Sequence, residues 1–254
     1  MLVKKQIIIN HYMKDFSIFC KETNEKAAKL AVELGIRLID HGECSTRFVI
    51  KFVEDLITLL DTKENLEIEL SFNGQIASLR TKNLNSENLI KALGKIDLNT
   101  KIYDLTAGLG RDALIMALKG YRVVMIEKHP VLYVLLKNAH QNLLSDYPDI
   151  YSRIEVVNAD SACFIQDIKM EDNPIFYLDP MFPKRAKSAK VKKEMQVLQN
   201  ICDLSDNAED LLKLAVSKGK TVLKRPKLAG ELSGLKYHHV ISGTKISFFV
   251  FERS

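Results

Sequence analysis

The chain of 254 residues is long enough for one large domain, or for a modest domain with an appendage. With 46% hydrophobic and 27% charged residues, and only 11 Gly and 6 Pro, its composition excludes collagen-like, low-complexity and disordered classes. The 37 Lys and Arg outnumber the 32 Asp and Glu, which makes the formal net charge +5. This charge permits a polyanionic partner without requiring one.

The amino terminus and the cysteines predict a cytoplasmic protein without a structural metal. The first residues contain no apolar run of signal-peptide length, and no window approaches the roughly 18 apolar residues of a membrane span. The four cysteines are too far apart for a Cys-x-x-Cys pair, and the 6 His form no Cys/His ligand pattern. We therefore expect no metal, no disulfide framework and no membrane partner.

Residues 1–95 are predicted to form a small α+β domain. Between residues 24 and 38, apolar residues recur at helical spacing around the stop signal Gly35, as in an amphipathic helix. Residues 84–93 resemble a connecting helix that ends at Gly94. Three short β-prone runs between these helices predict an antiparallel meander: 48–53, 56–60 and 66–72.

From residue 96 the pattern changes to a strand, a loop, a helix and another strand, repeated along the chain. Alternation of this kind predicts an α/β fold whose parallel sheet has right-handed crossovers. A last pair of strands, near Val240 and at 246–251, is expected to add an antiparallel edge. The other predicted strands are 102–105, 122–126, 154–157, 175–178 and 221–223, and the predicted helices are 111–119, 131–144 and 208–218.

A glycine loop between the first strand and helix of this region predicts a nucleotide-cofactor site. Gly108 and Gly110 would let a ligand approach the backbone beside the free N–H groups of a helix N-terminus. Glu127 ends the next strand, 19 residues after Gly108, where a carboxylate can accept both hydrogen bonds of a ribose diol. Nicotinamide dinucleotide and S-adenosylmethionine both fit these features.

Two further features favour S-adenosylmethionine. Asp-Leu-Thr-Ala-Gly at 104–108 resembles motif I of class I methyltransferases. Asp160 and Ser161 follow the third strand, which matches the position where that class holds the adenine.

The fourth strand runs into Asp179-Pro180-Met181-Phe182, at the sheet edge where open α/β sheets bind ligands. This segment resembles the Asp/Asn-Pro-Pro-Tyr/Phe motif of methyltransferases that act on exocyclic amines of bases. In that motif the Asp side chain and the next backbone carbonyl accept the N–H groups of the amine, and the aromatic ring stacks on the base. Such orientation of a delocalised nitrogen lone pair is catalysis by positioning.

A basic stretch follows immediately, with six cations and no acid within ten residues. Because it extends from the expected reaction centre, we interpret it as a contact for nucleic-acid phosphates. Its members are Lys184, Arg185, Lys187, Lys190, Lys192 and Lys193. A second basic group surrounds the next strand and comprises Lys218, Lys220, Lys224, Arg225 and Lys227.

Together these segments resemble the small-subunit ribosomal RNA methyltransferase J family. The resemblance implies a Rossmann-like class I methyltransferase domain at 96–254, with a mostly parallel seven-stranded sheet and an antiparallel edge. It also implies methyl transfer from S-adenosylmethionine to the N2 amine of a guanine in 16S rRNA, numbered 1516 in that family. The segments that carry the resemblance are 104–113, 177–184, 187–195 and 222–226.

The resemblance also implies roles for individual residues. The cofactor would be bound by Asp104, Gly108, Gly110, Arg111, Asp112, Glu127, Lys128, Asp160, Ser161 and Asp179. The catalytic residues would be Asp179, Pro180 and Phe182. RNA would be bound by Lys184, Arg185, Lys187 and Lys190. The implied partner is 16S rRNA or the small ribosomal subunit, with the protein acting as a monomer.

Two other functions stay open at this stage. An NAD-dependent oxidoreductase would explain the glycine loop and Glu127, but it has no use for an Asp-Pro-x-Phe segment after the fourth strand. A non-catalytic RNA-binding assembly factor would explain the basic stretch, but it does not need acidic residues at the ends of three strands.

Overall fold

The computed structural model describes residues 13–41, 45–79, 83–168, 173–180, 193–201, 208–227 and 234–253. The strands are β1 (Phe16–Cys20), β2 (Arg37–Ile39), β3 (Phe48–Val53), β4 (Leu56–Asp61), β5 (Leu66–Glu69), β6 (Lys101–Asp104), β7 (Arg122–Glu127), β8 (Ile154–Asn158), β9 (Ile175–Leu178), β10 (Lys220–Pro226), β11 (His239–Ser242) and β12 (Ile246–Phe251). The helices are α1 (Glu25–Leu34), α2 (Phe72–Leu79), α3 (Asn88–Leu93), α4 (Arg111–Leu118), α5 (Pro130–Gln141), α6 (Leu143–Asp146), α7 (Pro148–Tyr151), α8 (Ser161–Gln166), α9 (Lys193–Ile201) and α10 (Ala208–Lys218). A 3₁₀ turn covers Leu84–Ser86.

These elements form two compact units. The described residues up to 70, together with 193–201, belong to the first unit. Those from 71 to 180 and from 208 to 253 belong to the second.

The first unit contains a five-stranded sheet in the order β2-β1-β3-β4-β5. Strands β3, β4 and β5 pair antiparallel, which confirms the predicted meander. Strand β1 lies between β2 and β3 and is parallel to both, and the sequence analysis predicted neither β1 nor β2.

The predicted helix at 24–38 is too long, because Gly35 adopts a left-handed conformation (φ 65°) that ends α1 after Leu34. Residues 37–39 then form β2.

The second unit contains a seven-stranded sheet in the order β11-β12-β10-β9-β6-β7-β8. Neighbouring strands from β10 to β8 are parallel, whereas β12 pairs antiparallel with β10 and with β11. This arrangement confirms the predicted mostly parallel sheet with an antiparallel edge. The order of the strands reverses at β6, which has β7 on one side and β9 on the other. In open α/β sheets, ligands bind beyond the carboxyl ends of strands at such a reversal.

The central strands of this sheet are buried, which fixes the residues that follow them. All four residues of β9 are buried, as are all residues of β7 after Arg122. Near-continuous apolar runs of this kind are typical of parallel strands with both faces covered. On one face, Phe176 and Leu178 pack with Leu212 of α10 and Ile165 of α8 in one hydrophobic cluster. The loops beyond the carboxyl ends of β6, β7 and β9 therefore start from a well-packed core.

The structure groups residues 71–95 with the second unit, a division that differs from the predicted domain boundary at residue 95. The physical reason is packing, since α2 contacts α4, and α3 contacts β11 and β12. Within the described ranges, no helix is long and apolar enough to cross a membrane.

Candidate functional site

The loop from β6 to α4 begins the site at the carboxyl edge of the second unit's sheet. Asp104 is buried at the end of β6, and its carboxylate accepts a hydrogen bond from the Thr106 N–H at 3.2 Å. The N–H of Leu105 donates to the Tyr177 carbonyl at 2.9 Å, which joins the start of the loop to β9. Burial, followed by the charge of Asp112, raises the pKa of Asp104 well above its ordinary value.

The two glycines of this loop face different surroundings. Both have positive φ angles, 53° at Gly108 and 67° at Gly110. A Cβ on Gly110 would lie 2.8 Å from Phe72 Cζ and 2.9 Å from Leu136 Cδ2, so this glycine is needed for packing. Among the described residues, a Cβ on Gly108 would approach only the Thr106 carbonyl oxygen, at 3.7 Å. Gly108 therefore borders open space that a ligand can enter.

Glu127 joins the end of β7 to the glycine loop. Its carboxylate accepts hydrogen bonds from the Gly108 N–H at 3.0 Å and from the His129 N–H at 2.8 Å. Burial raises the pKa of Glu127 to about 7, against the lowering effect of these backbone donors. A backbone hydrogen bond from Lys128 also lowers this pKa, and the carboxylate, with about four lone-pair sites, can accept a further donor.

The loop after β8 carries the predicted adenine-side residues. Asp160 caps α8 by accepting a hydrogen bond from the Cys163 N–H at 3.0 Å, and it is exposed. Ser161 is buried, and its hydroxyl donates to the Leu105 carbonyl at 2.6 Å. The Asn158 amide donates to the Glu127 carbonyl at 2.9 Å. These bonds tie the ends of β6, β7 and β8 together.

Asp179 follows β9 directly and is held at two points. Its backbone N–H donates to Thr106 Oγ1 at 2.7 Å, and its carboxylate lies 2.8 Å from the Lys224 ammonium. Burial raises the pKa of Asp179, Lys224 acts against this increase, and Asp112 adds to it. The Asp179 side chain is 39% exposed, so it is accessible to a substrate.

Lys224 connects Asp179 to a second carboxylate. Its ammonium lies 2.6 Å from Asp112 Oδ2, and the same oxygen accepts a hydrogen bond from the Tyr177 hydroxyl at 2.5 Å. Burial alone would lower the pKa of Lys224, but Asp112 and Asp179 raise it above its ordinary value. Burial, with the nearby Asp112, raises the pKa of Tyr177 well above its ordinary value. Lys224 therefore carries its charge and Tyr177 its proton at neutral pH.

The structure brings most of the predicted cofactor residues to one edge of the sheet. Arg111 and Asp112 begin α4, and Lys128 follows Glu127. Pro180 follows Asp179 and is half-buried. The predicted residues Phe182, Lys184, Arg185, Lys187 and Lys190 lie outside the described part of the chain.

Three residues around Asp179 were missed by the sequence analysis as parts of the site: Thr106, Tyr177 and Lys224. Thr106 and Tyr177 lie inside motifs that the analysis quoted, and Lys224 was counted only as a member of a basic group. The register of the sheet is the signal that could have identified Lys224. Leu223 pairs with Leu178, so the next residues, Lys224 and Asp179, emerge side by side.

The second basic group is not a uniform cationic surface. Lys218 donates to the carbonyls of Ile165 and Gln166 at 3.0 and 2.9 Å, where it neutralises the C-terminal end of α8. Lys220 lies 3.6 Å from Glu252. With Lys224 held by two carboxylates, Lys218, Lys220 and Lys224 all have partners within the protein. Within the described residues, no group of three or more His, Cys, Asp or Glu is placed to hold a metal ion.

The sequence of this chain is similar to those of known proteins over most of its length. A family model for SAM-dependent methyltransferases matches residues 33–253. Ribosomal RNA small subunit methyltransferase J of Coxiella burnetii (strain RSA 493 / Nine Mile phase I) is 32% identical over 233 residues, covering 89% of this chain and 91% of that protein. The protein of the same name from Shewanella amazonensis is 34% identical over 221 residues, covering 83% of this chain and 88% of its own.

A solved structure shares the fold. The crystal structure of a SAM-dependent methyltransferase from Neisseria gonorrhoeae has a TM-score of 0.72 at 24% identity, and the match covers 93% of this chain and 96% of that one. The family model, the relatives and the predicted motifs agree with one another. This chain therefore belongs to the ribosomal RNA small subunit methyltransferase J family and is an S-adenosylmethionine-dependent methyltransferase.

Proposed function

We propose that this protein transfers a methyl group from S-adenosylmethionine to the exocyclic N2 amine of a guanine in 16S rRNA. The observation that carries the proposal is the position of Asp179. Asp179 follows a buried strand, its backbone N–H donates to Thr106 in the glycine loop, and its carboxylate remains partly exposed. The names of the relatives in two bacteria support small-subunit rRNA as the substrate.

The residues of the loop edge fit the cofactor. Gly108 borders open space where a side chain would otherwise stand, and the neighbouring Glu127 carboxylate can accept a further hydrogen bond. We assign the ribose hydroxyls to Glu127 and the region around the ribose to Lys128. The remaining assignments follow the sequence motifs, with the methionine end at Asp104, Arg111 and Asp112, and the adenine at Asp160 and Ser161.

Gly110 has a different part in the same loop. Its packing against Phe72 and Leu136 supports a role in shaping the loop, and any contact with the cofactor would come from its backbone. The two glycines therefore have different roles: Gly110 allows the loop to turn against its neighbours, and Gly108 leaves room for the ligand.

The protein's contribution to the reaction is orientation. S-Adenosylmethionine supplies a methyl group on a sulfonium, which needs a nitrogen lone pair in line with the S–C bond. The Asp179 carboxylate and the Pro180 carbonyl would accept the two N–H groups of the amine, and Phe182 would stack on the guanine ring. Such positioning turns a poorly nucleophilic amine into a near-attack reactant. The surplus proton of the methylated amine can leave to water.

RNA binding is assigned to the basic stretch after the reaction centre. Lys184, Arg185, Lys187 and Lys190 follow Asp179 closely in the chain, so phosphates beside an inserted guanine would be within their reach. The proposal includes action as a monomer on 16S rRNA or on the small subunit. The cytoplasmic location and the domain boundary at residue 95 stay predictions.

Methyl transfer to extracted small-subunit RNA tests the proposal, with Asp179→Ala compared with the wild-type protein. The variant is expected to lose at least about 100-fold in single-turnover rate, since positioning effects reach such sizes. Asp149→Ala is a matched control, because Asp149 is an exposed carboxylate on the short helix α7. Full activity of Asp179→Ala, or no transfer by the wild-type protein, would overturn the proposal.

A further inference from the structure

One lysine at the reaction centre lies inside a cluster of acidic groups. The Lys224 ammonium is 2.6 Å from Asp112 Oδ2 and 2.8 Å from Asp179 Oδ2. Only 18% of the Lys224 side chain is exposed. The Tyr177 hydroxyl binds the same Asp112 oxygen from the other direction.

We propose that Lys224 is a positioning residue for methyl transfer, which fixes the Asp179 carboxylate in its ionised, hydrogen-bond-accepting form through a bridge to Asp112. This inference rests on the proposed function of Asp179. It gives Lys224 a role within the protein, at the carboxylates of Asp112 and Asp179.

The need for a cation follows from the carboxylates that face Asp179. Asp112 approaches from α4 and Asp104 from β6, and Tyr177 precedes Asp179 on β9 by two residues. Like charges this close favour the protonation of one carboxyl group. Lys224, on β10, lies within ion-pair distance of both Asp112 and Asp179.

Protonation of Asp179 would oppose the reaction. A carboxylate can only accept hydrogen bonds, whereas a carboxylic acid also presents an O–H donor. That donor would bind the lone pair of the amine, which is the pair needed to form the new N–C bond. An ionised Asp179 instead binds the N–H and leaves the lone pair facing the methyl group.

The cluster is also fixed in direction. The Asp179 N–H is bound to Thr106, and Asp112 is bound to Tyr177, so the two carboxylates meet Lys224 from anchored positions. A flexible lysine is restrained by two ion pairs at once. The restrained ammonium in turn limits the rotation of the Asp179 carboxylate, which has its other oxygen available for the substrate.

The test combines two measurements on Lys224→Met in the full-length protein. Carboxyl-carbon NMR without RNA is expected to show a higher pKa for Asp179 than in the wild-type protein. Single-turnover methylation is expected to fall about 10- to 100-fold at neutral pH and to recover partly as the pH rises, since more Asp179 is then ionised. Lys224→Arg retains the charge and is expected to keep the pKa of Asp179 close to that of the wild type.

Two further variants keep the test decisive. Lys220→Met removes a cation from the same strand, but Lys220 pairs with Glu252, so the pKa of Asp179 is expected to stay unchanged. Asp112→Asn removes a like charge and is expected to lower the pKa of Asp179. Adding Lys224→Met to Asp112→Asn is expected to raise this pKa again, which tests Lys224 if Lys224→Met alone does not fold.

The outcomes separate this inference from the proposed function. If the wild-type protein does not methylate the RNA, the proposed function is wrong, while the NMR measurement still tests the link between Lys224 and Asp179. If the pKa of Asp179 is the same in the wild type and in Lys224→Met, the inference is wrong. An unchanged pH–rate profile for Lys224→Met would also overturn it.

Discussion

The surroundings of two buried carboxylates, Asp61 in the first unit and Glu127 in the second, shift their pKa values in opposite directions. Asp61 is fully buried and accepts hydrogen bonds from Arg47, Asn200 and the backbone N–H groups of residues 63 and 64. Burial raises its pKa, but the bonds from Arg47, Asn200 and the backbone outweigh this and lower the pKa below its ordinary value. Glu127 accepts hydrogen bonds from the backbone N–H groups of Gly108, Lys128 and His129, and burial still raises its pKa to about 7.

This difference in pKa indicates different roles for the Asp61 and Glu127 carboxylates. Asp61 is saturated by donors from within the protein, so it stabilises the fold and has little capacity for a ligand. Glu127 bears a desolvation cost that its backbone donors do not offset, and the hydroxyl groups of a ligand would supply a further donor. Carboxyl groups with perturbed pKa values in this sense are typical of functional sites.

The largest expected effect is on stability at Asp61. Asp61→Asn removes the charge that faces Arg47 and should lower the free energy of unfolding by about 2–4 kcal/mol, within the range for broken buried pairs. Cofactor affinity should not change. Urea unfolding checks this, with Asp55→Asn as a control, since Asp55 forms an exposed pair with Lys26 and its loss should have little effect.

The pH dependence of Asp61 has a definite sign. Because its pKa is lowered in the folded state, its contribution to stability is present above the ordinary value of 3.8 and is lost as the pH falls below that value. The wild-type protein should therefore lose stability on acidification more steeply than Asp61→Asn. Equal slopes would show that Asp61 is not a specific stabilising group.

The two glycines extend the comparison between a packed and an open surrounding. Gly110→Ala should destabilise the protein by about 2 kcal/mol or more, because its Cβ would meet Phe72 and Leu136 at under 3 Å in a left-handed conformation. Gly108→Ala should cost about 1 kcal/mol from its positive φ alone, but it should weaken S-adenosylmethionine binding strongly. Urea unfolding and titration calorimetry measure the two effects. The reverse order of stabilities would contradict this division of roles.

The smallest expected effect is the pH dependence of cofactor binding. Hydroxyl donors favour the ionised form of Glu127, so affinity for S-adenosylmethionine should rise by about tenfold between pH 6 and pH 8 as the carboxyl group, with its pKa of about 7, loses its proton. Calorimetry on the wild type and on Glu127→Gln isolates this effect, because titration of the ligand's own amine is common to both. The same pH dependence in both proteins would exclude Glu127 as its source.

The sequence predicts the second unit better than the first, for physical reasons. Apolar runs such as residues 123–126 and 175–178 need a sheet covered on both faces, and each is followed by its site residue along the chain. The site edge was therefore predictable from order alone. In the first unit, β1 pairs with β3 across a long connection, and no local pattern reveals such pairing.

Hydrogen bonds and ion pairs between distant residues were the other part that the sequence could not reveal. Asn200 reaches Asp61 from 139 residues away, and Lys224 reaches Asp112 from 112 residues away. From the sequence alone, Lys224 was counted only as a member of a basic group. Only the pairing of β9 with β10 shows that its ammonium meets carboxylates instead.

The chemical identity of the methylated nucleoside tests the central claim most directly. Small-subunit RNA treated with the wild-type protein and S-adenosylmethionine would be digested to nucleosides and analysed by mass spectrometry against standards. We expect N2-methylguanosine as the product, at one site in 16S rRNA, and no methylated product with Asp179→Ala. A methyl group on a ring nitrogen, on a ribose hydroxyl or on another base would contradict it.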